Sequence, residues 1–274
     1  MRQFIKIGKE YLNAGNEAVL CSVIASTGSV PRGAGAHMLV GAEGRIAGTV
    51  GGGAVEYECE VRAAQVLQEK QSCREHYRLN QNKVQDLGMI CGGEVDVQFT
   101  YIASGDQQII EWLNACEQSL ERGRVYIFGG GHVAQALVPA LSAVDFPCVI
   151  LEDRDEFCRP ELFPQAAEVR KIENSHIADY VTITEDDYVC VMTRGHKDDT
   201  LVQMQILRTP ARYIGVIGSR RKKAGVFATL KENGFTDEDL QRIVTPIGLD
   251  IGAETPAEIA VSITAQLIQE RAKK

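Results

Sequence analysis

No stretch of this chain reaches the roughly 20 uninterrupted apolar residues that a membrane-spanning helix needs. The first residues also lack the apolar run and the small-residue cleavage site of a secretory signal. Together these absences predict a cytoplasmic protein. The formal net charge of -8 disfavours a general nucleic-acid binder, because affinity for phosphate backbones comes from clustered Lys and Arg.

Several patterns that would indicate catalysis or metal binding are missing as well. The eight cysteines contain no C-x-x-C pair, and the five histidines show no ligand-like spacing beside them, so neither disulfides nor a zinc site is expected. There is no G-x-S-x-G elbow, Walker loop or H-E-x-x-H motif, and no nucleophile–base pair is evident. The residues therefore define no catalytic group, and a non-catalytic role is favoured over an enzyme.

The distribution of apolar residues predicts two domains joined by a helix. Residues 1–103 show strand and turn patterns with one clear helix over Ala54–Glu69, which is typical of a small β-rich α+β domain. Residues 104–123 predict the connecting helix. Residues 124–274 alternate short apolar strands with helices, as in a parallel sheet with crossover connections. The predicted class is therefore α/β, with a Rossmann-like parallel-sheet domain after a smaller β-rich domain.

The strongest motif opens this second domain. A strand at Val125–Phe128 runs into a G-x-G-x-x-A turn, in which Gly129 allows the tight bend and Gly131 lets the main chain approach a phosphate. His132 begins the following helix, whose exposed N–H groups attract anions. About twenty residues on, the acidic pair ending in Asp153 is a candidate to hold ribose hydroxyls, so NAD(P) stays open as a ligand.

Two later loops follow strands of the same predicted sheet and should lie at its carboxyl edge. The first, Thr193–Asp199, contains His196, a candidate acid–base group or ligand contact; the alternative is a helix-capping loop with a solvated histidine. In the second, Ser219 is placed to cap a helix whose first turn begins with the cation Arg220. Cations there oppose the helix dipole, and this favours a bound phosphate over a plain surface run.

Glycine is concentrated in three loops of the first domain, Thr27–Ala36, Gly48–Glu56 and Met89–Glu94. Such density indicates special main-chain dihedrals or close approach to a ligand. A helix begins directly after Gly51-Gly52-Gly53, which again suits an anion, and Arg32 is a candidate cation for it. Cys91 lies in a glycine loop and is a candidate reactive thiol. The alternative is tight packing within a small β-rich domain.

In combination these motifs resemble the XdhC/CoxI family, the xanthine dehydrogenase accessory factors. The resemblance spans the whole chain and rests on Ser26–Gly33, Gly51–Glu56, Gly88–Gly93, Gly129–Ala134, Thr193–His196, Gly218–Lys222 and Pro246–Ala253.

The resemblance implies a protein that binds molybdenum cofactor, a pterin with a terminal phosphate, through the glycine, cationic and polar residues named above. It implies two partners: a cysteine desulfurase, which converts an oxo ligand of the cofactor to the sulfido form, and an apo molybdenum hydroxylase of the xanthine dehydrogenase type. A role in purine catabolism is implied too. A homodimer is compatible with a β-rich domain that covers its edges.

Two other classes stay open: an NAD(P)-dependent oxidoreductase using His132 or His196, and an interaction protein whose Rossmann crevice is empty.

Overall fold

The computed structural model describes residues 1–79, 92–218 and 220–273; at 196–197 and 220–222 it describes the main chain alone. The chain divides into two compact units, Met1–Ser119 and Leu120–Lys274. Each unit has its own sheet and hydrophobic core, so each is described by itself. None of the described helices is long and apolar enough to cross a membrane.

The described part of unit 1 contains an antiparallel five-stranded sheet. Its strands are β1 (Ala18–Thr27), β2 (His37–Gly41), β3 (Gly44–Gly48), β4 (Cys73–Arg78) and β5 (Glu94–Ile102). They lie in the order β3-β2-β1-β5-β4. β1, which is rich in Val, Leu and Ile, lies at the centre of the sheet.

Helices cover both faces of this sheet: α1 (Arg2–Asn13), α2 (Gly53–Glu69) and α3 (Gln107–Leu120). The buried stripe of α2, including Cys59 and Ala63, packs on one face. On the other face, a Cβ added to Gly8 of α1 would lie 3.7 Å from the side chains of Leu39 and Leu113. Because Leu39 is in β2 and Leu113 in α3, this close approach joins both helices to the sheet.

The expectation of a single helix in the first hundred residues was wrong, since α1 is a second one. Phe4, Ile5 and Leu12 are buried on one side of α1. Glycine weakens a helix interior, but at Gly8 it permits the close packing just described. Tertiary burial of an amphipathic stripe therefore outweighs the poor local propensity.

Unit 2 has a parallel sheet of six described strands. These are β6 (Val125–Phe128), β7 (Cys148–Glu152), β8 (Glu168–Lys171), β9 (Tyr188–Val191), β10 (Tyr213–Val216) and β11 (Ile243–Val244). From one edge the order is β8-β7-β6-β9-β10-β11. This is the 3-2-1-4-5-6 order of the Rossmann fold, so the predicted fold class is confirmed.

The helices of unit 2 are α4 (His132–Ala143), α5 (His196–Ile206), α6 (Arg220–Glu232), α7 (Asp237–Gln241) and α8 (Pro256–Ala272). α4 and α8 share a core cluster on one face, and α5 contributes to a cluster on the other. A capping box begins α8: Thr255 Oγ1 accepts from Glu258 N at 3.3 Å, and Thr255 N donates to Glu258 Oε2 at 2.8 Å.

Two strands were not predicted. β8 has the sequence Glu-Val-Arg-Lys, in which charged residues obscure the alternation expected of a strand, because this edge strand is only partly buried. β11 is two residues long, too short for any pattern. Both lie at the edges of the sheet, and the apolar strands β6, β7, β9 and β10 form its buried centre.

Candidate functional site

The carboxyl edge of the parallel sheet brings together loops that are far apart in sequence. Gly129 has a φ of +109°, and a Cβ there would overlap the Met192 carbonyl oxygen just after β9. Ile217, after β10, donates its N–H to the Val191 carbonyl at 2.8 Å. The glycine turn after β6 and the loops after β9 and β10 therefore start at neighbouring positions along one edge, where Rossmann domains bind their ligands.

The first turn of α4 presents unused hydrogen-bond donors. Gly131 is the N-cap and supplies no side chain. The main-chain N–H groups of Gly131, His132 and Val133 have no acceptor among the described residues. A Cβ at Gly131 would meet no atom of the described residues within 4 Å. The His132 side chain is exposed beside them. This turn can accept an anion from outside the chain.

The acid that contacts the glycine turn is Glu152, the last residue of β7. Its side chain is fully buried, and its carboxylate accepts N–H bonds from Gly130 (2.6 Å), Asp153 (3.0 Å) and Arg154 (3.0 Å). The Arg154 guanidinium adds a bidentate pair of hydrogen bonds, from Nε to Glu152 Oε1 at 2.9 Å and from Nη2 to Glu152 Oε2 at 2.8 Å. The Arg154 guanidinium also stacks on Phe157 at 4.2 Å.

This network keeps Glu152 ionised. Burial opposes the charge, but the hydrogen bonds from Arg154 and Gly130 outweigh it and lower the pKa of Glu152 to about 2. A carboxylate offers about four acceptor positions, and five N–H bonds already occupy them. A ribose hydroxyl would have to displace one of these bonds. The arrangement at Glu152 therefore does not favour a nicotinamide dinucleotide.

Asp153, which the sequence predicted to hold ribose hydroxyls, lies beside the hydrogen bonds to Glu152. Its side chain is 43% exposed, and its carboxylate is 4.0 Å from Arg154 Nε. Burial and the neighbouring Glu152 carboxylate raise the pKa of Asp153. Alternation along β7 explains the difference, since neighbouring residues at a strand end face opposite ways. A ligand role for Asp153 stays a prediction.

The loop after β9 is held by Asp199. Asp199 Oδ1 accepts from the Thr193 N–H at 3.0 Å and from Thr193 Oγ1 at 2.6 Å. Gly195 is the N-cap of α5 and, like Gly131, supplies no side chain. The main chain of His196 opens α5.

Four predicted residues are only partly covered by the structure or not at all. The side chains of His196 and Arg220 lie outside what the structure describes, although the main chain of Arg220 begins α6. Ser219 and Cys91 lie outside the described residues altogether. Their roles stay predictions.

In unit 1 the glycine loops touch one another. A Cβ at Gly28 would lie 3.1 Å from Gly93 Cα, and a Cβ at Gly51 would lie 2.9 Å from Pro31 Cβ and 3.2 Å from the Arg32 nitrogen. The loop after β1 thus contacts both the turn before α2 and the segment before β5. The Arg32 side chain is exposed and has no ion partner among the described residues. These loops form one cluster with a cation at its surface.

The turn before α2 already holds a carboxylate from its own chain. Glu56 accepts from the N–H groups of Val50 (3.2 Å) and Gly52 (3.1 Å), and also from Thr49 Oγ1 and Arg45. Burial opposes ionisation, but these contacts outweigh it and lower the pKa of Glu56. The sequence did not identify Glu56 as the partner of Gly52. An external anion at Gly51-Gly52-Gly53 would therefore share this turn with Glu56.

The contact between loops in unit 1 predicts that Gly93→Ala destabilises this unit by about 2 kcal/mol, an overpacking cost. An added Cβ would lie 2.6 Å from the Thr27 carbonyl oxygen and 2.6 Å from Val30 Cγ1. Urea unfolding followed by the fluorescence of Trp112, the chain's single tryptophan, measures this, because Trp112 lies in α3.

The matched control is Gly92→Ala, since a Cβ there would meet no atom within 4 Å among the residues that the structure describes. Its expected effect is within about 0.5 kcal/mol. Equal effects of the two substitutions would contradict the close packing of these loops.

The strand order and the glycine turn after β6 define unit 2 as a Rossmann-type domain. Comparison with family models agrees: the model of the XdhC Rossmann domain matches residues 125–267, more than half of the chain. A second model, of the XdhC and CoxI family, matches residues 11–78. The chain therefore belongs to the XdhC and CoxI family, as the motifs predicted.

Three curated relatives span most of this chain. Uncharacterized protein YqeB of Escherichia coli K12 is 31% identical over 91% of this chain, which spans only 43% of YqeB. A protein of Bacillus subtilis 168, named as a probable subunit of xanthine dehydrogenase, is 22% identical, and the match covers 93% of both chains. The molybdenum cofactor insertion chaperone PaoD of E. coli K12 is 24% identical over 98% of this chain and 88% of its own.

A solved structure shares the fold. It is described as a xanthine dehydrogenase from Bacillus halodurans, and it superposes with a TM-score of 0.85. The two chains are 24% identical, and the match covers 98% of this chain and 96% of the other.

Proposed function

We propose that this chain is an accessory protein that binds molybdenum cofactor and delivers it to an apo molybdenum hydroxylase of the xanthine dehydrogenase type. The observation that carries the proposal is the first turn of α4, where three consecutive main-chain amides lack an acceptor within the described part of the chain. Membership of the XdhC family and the names of PaoD and the B. subtilis relative support it.

The donor set suits the phosphate end of the cofactor. Phosphate oxygens accept several N–H bonds at once, and the dipole of a helix favours negative charge at its N-terminus. The N–H groups of Gly131, His132 and Val133 would hold this phosphate, and the exposed His132 ring lies next to them. In this role the chain binds and orients the cofactor, while the metal chemistry belongs to the cofactor and is used in the hydroxylase.

Finer features belong to the same proposal. A cysteine desulfurase would exchange an oxo ligand of the metal for a sulfido ligand while this chain holds the cofactor, and Cys91 is the candidate thiol for sulfur handling. The chain would act in the cytoplasm, in purine catabolism, with a homodimer as the expected assembly. The candidate cofactor contacts in unit 1 are Arg32 and the Gly51-Gly52-Gly53 turn, and in unit 2 they extend to His196, Ser219 and Arg220.

Delivery is tested by activating an apo hydroxylase. The purified chain is loaded anaerobically with sulfurated cofactor, desalted, and mixed with an apo enzyme of the xanthine dehydrogenase type. We expect hydroxylase activity to appear, together with loss of pterin and molybdenum from the accessory chain. Free cofactor at the same concentration should activate more slowly, because it has no protein to protect and orient it. A loaded chain that keeps its cofactor in the presence of the apo enzyme would contradict delivery.

A further inference from the structure

A cleft of about 550 Å³ lies at the carboxyl edge of unit 2, beyond the ends of β10 and β11. Its size is within the range of small-molecule sites. It is lined by Ile217, Gly218, the loop Pro246–Ala253, and Ile259 and Ser262 of α8. The loop Pro246–Ala253 is one of the motifs that this chain shares with the family, and the function proposed above assigns it no role.

The walls of the cleft are mostly aliphatic, and one of them is unusually exposed. Ile251 is 53% exposed, and Ile217 and Ile259, which also line the cleft, are half-buried. Leaving an isoleucine in water forfeits the stabilisation that burial would give. Exposed aliphatic side chains that a ligand can cover suit the apolar face of a planar ring.

Polar groups on the same loop can contact the edge of such a ring. The main-chain N–H groups of Ile251, Gly252 and Ala253 have no acceptor among the described residues. Asp250 and the main-chain carbonyl groups of this loop also line the cleft. Ring nitrogens and carbonyl groups form hydrogen bonds with such donors and acceptors. The cleft therefore offers apolar side chains to the faces of a ring and polar groups to its edge.

The loop is held in place by α8, which makes the cleft a preformed site. Gly248 donates its N–H to Gln266 Oε1 at 2.7 Å. Leu249 donates its N–H to the Ser262 carbonyl at 3.2 Å and accepts from Ser262 Oγ at 2.6 Å. A loop already ordered by these bonds loses little freedom when a ligand binds, which favours affinity.

We infer that this cleft binds a fused, two-ring nitrogen heterocycle of the pterin or purine type. The ring face covers Ile251 and Ile259, and the ring edge bonds to the amides of Ile251–Ala253. The cleft begins after β10, two strand spacings or about 10 Å from the α4 turn after β6. One ligand with a ring at one end and a phosphate at the other can therefore reach both; this last point rests on the proposed function.

The test uses free rings without phosphate, so that it does not depend on the α4 turn. The full chain is titrated with 6-hydroxymethylpterin, followed by its fluorescence, with guanosine, followed by calorimetry, and with uridine as a single-ring control. We expect a fused ring to bind and uridine not to bind. Tighter binding of the pterin assigns the cleft to a pterin, and tighter binding of guanosine assigns it to a purine nucleoside.

The variant pair is Ile251→Ser and Val261→Ser. Val261 is 57% exposed on α8 and is not part of the cleft lining, so it matches Ile251 in chemistry and exposure. Ile251→Ser should weaken ring binding about tenfold, and Val261→Ser should leave it unchanged. No binding of either ring, or equal effects of the two substitutions, would overturn the inference. Cofactor retention without free-ring binding would overturn this inference alone, whereas ring binding without cofactor retention would overturn the proposed function alone.

Discussion

Replacing Gly131 with aspartate is expected to reduce molybdenum cofactor retention at least tenfold while leaving the stability of unit 2 unchanged or slightly raised. Gly131 has φ −68° and ψ −174°, a conformation open to any residue, and a Cβ there meets none of the described atoms within 4 Å. Aspartate is a preferred N-cap residue, and its carboxylate would accept from the Val133 N–H. That places a fixed negative charge where the phosphate is proposed to bind.

The control is Gly131→Asn, which has the same shape and also caps helices but carries no charge. Retention is measured as pterin and molybdenum per chain after anaerobic loading and desalting. We expect the asparagine variant to retain markedly more cofactor than the aspartate variant, because it competes for the amides without repelling the phosphate. Full retention by Gly131→Asp would place the phosphate away from α4.

Glu152→Gln is expected to destabilise unit 2 by about 3 kcal/mol at pH 7. The glutamate side chain is fully buried and receives five N–H bonds, three of them from Arg154. An amide keeps one acceptor oxygen but turns an NH₂ group toward donors, and it removes the buried carboxylate charge that pairs most closely with Arg154. Hydrogen exchange in peptides from residues 125–152 measures the effect in unit 2 without interference from unit 1.

The acid dependence of stability gives a second measure of the same contact. The pKa of Glu152 falls from an ordinary 4.5 to about 2 on folding, because its hydrogen bonds favour the carboxylate. Its contribution is therefore complete above pH 4.5 and is lost as the pH falls towards 2. The difference between the wild-type chain and Glu152→Gln should shrink over that range.

Asp155→Asn is the matched control for Glu152→Gln, since Asp155 pairs with Lys171 nearby but its side chain is 85% exposed. An exposed pair of this kind contributes less than about 1 kcal/mol. If both substitutions had the same small effect, Glu152 would not be the acid that holds the glycine turn.

In both units a glutamate and an arginine from the chain itself brace a glycine turn. In unit 1, Glu56 pairs with Arg45 and accepts from the Gly52 N–H; in unit 2, Glu152 pairs with Arg154 and accepts from the Gly130 N–H. These internal carboxylates order the turns before any ligand arrives. In unit 2 the Glu152 carboxylate accepts from the Gly130 N–H and not from the next three amides, those of Gly131, His132 and Val133, which can therefore bind a ligand.

Much of the fold was predictable because its pattern is local. The buried strands β6, β7, β9 and β10 are short apolar runs between turn signals, and α8 carries a complete capping box. β8 and β11 were missed because edge strands need neither a continuous apolar run nor much length. α1 was missed because Gly8 lowers its helix propensity, and only the contact with Leu39 and Leu113 explains that glycine.

The candidate site was predictable only in part. The motif at Gly129–Ala134 and the edge position of the loop after β9 followed from strand–turn–helix patterns. The roles of Glu56 and Glu152 did not, because hydrogen bonds from Gly52 and Gly130 depend on how the chain folds back, and sequence spacing does not encode this. For the same reason the contacts of Gly51 with Pro31 and Arg32 were found only in three dimensions.

The most direct test of the central claim is anaerobic equilibrium dialysis of the full chain against molybdenum cofactor and, separately, against NADH. The open amides of the α4 turn and the filled acceptor positions of Glu152 predict saturable binding of the cofactor, up to one per chain, and no saturable binding of NADH. Tight binding of NADH, with no pterin or molybdenum retained, would contradict the claim and favour an oxidoreductase.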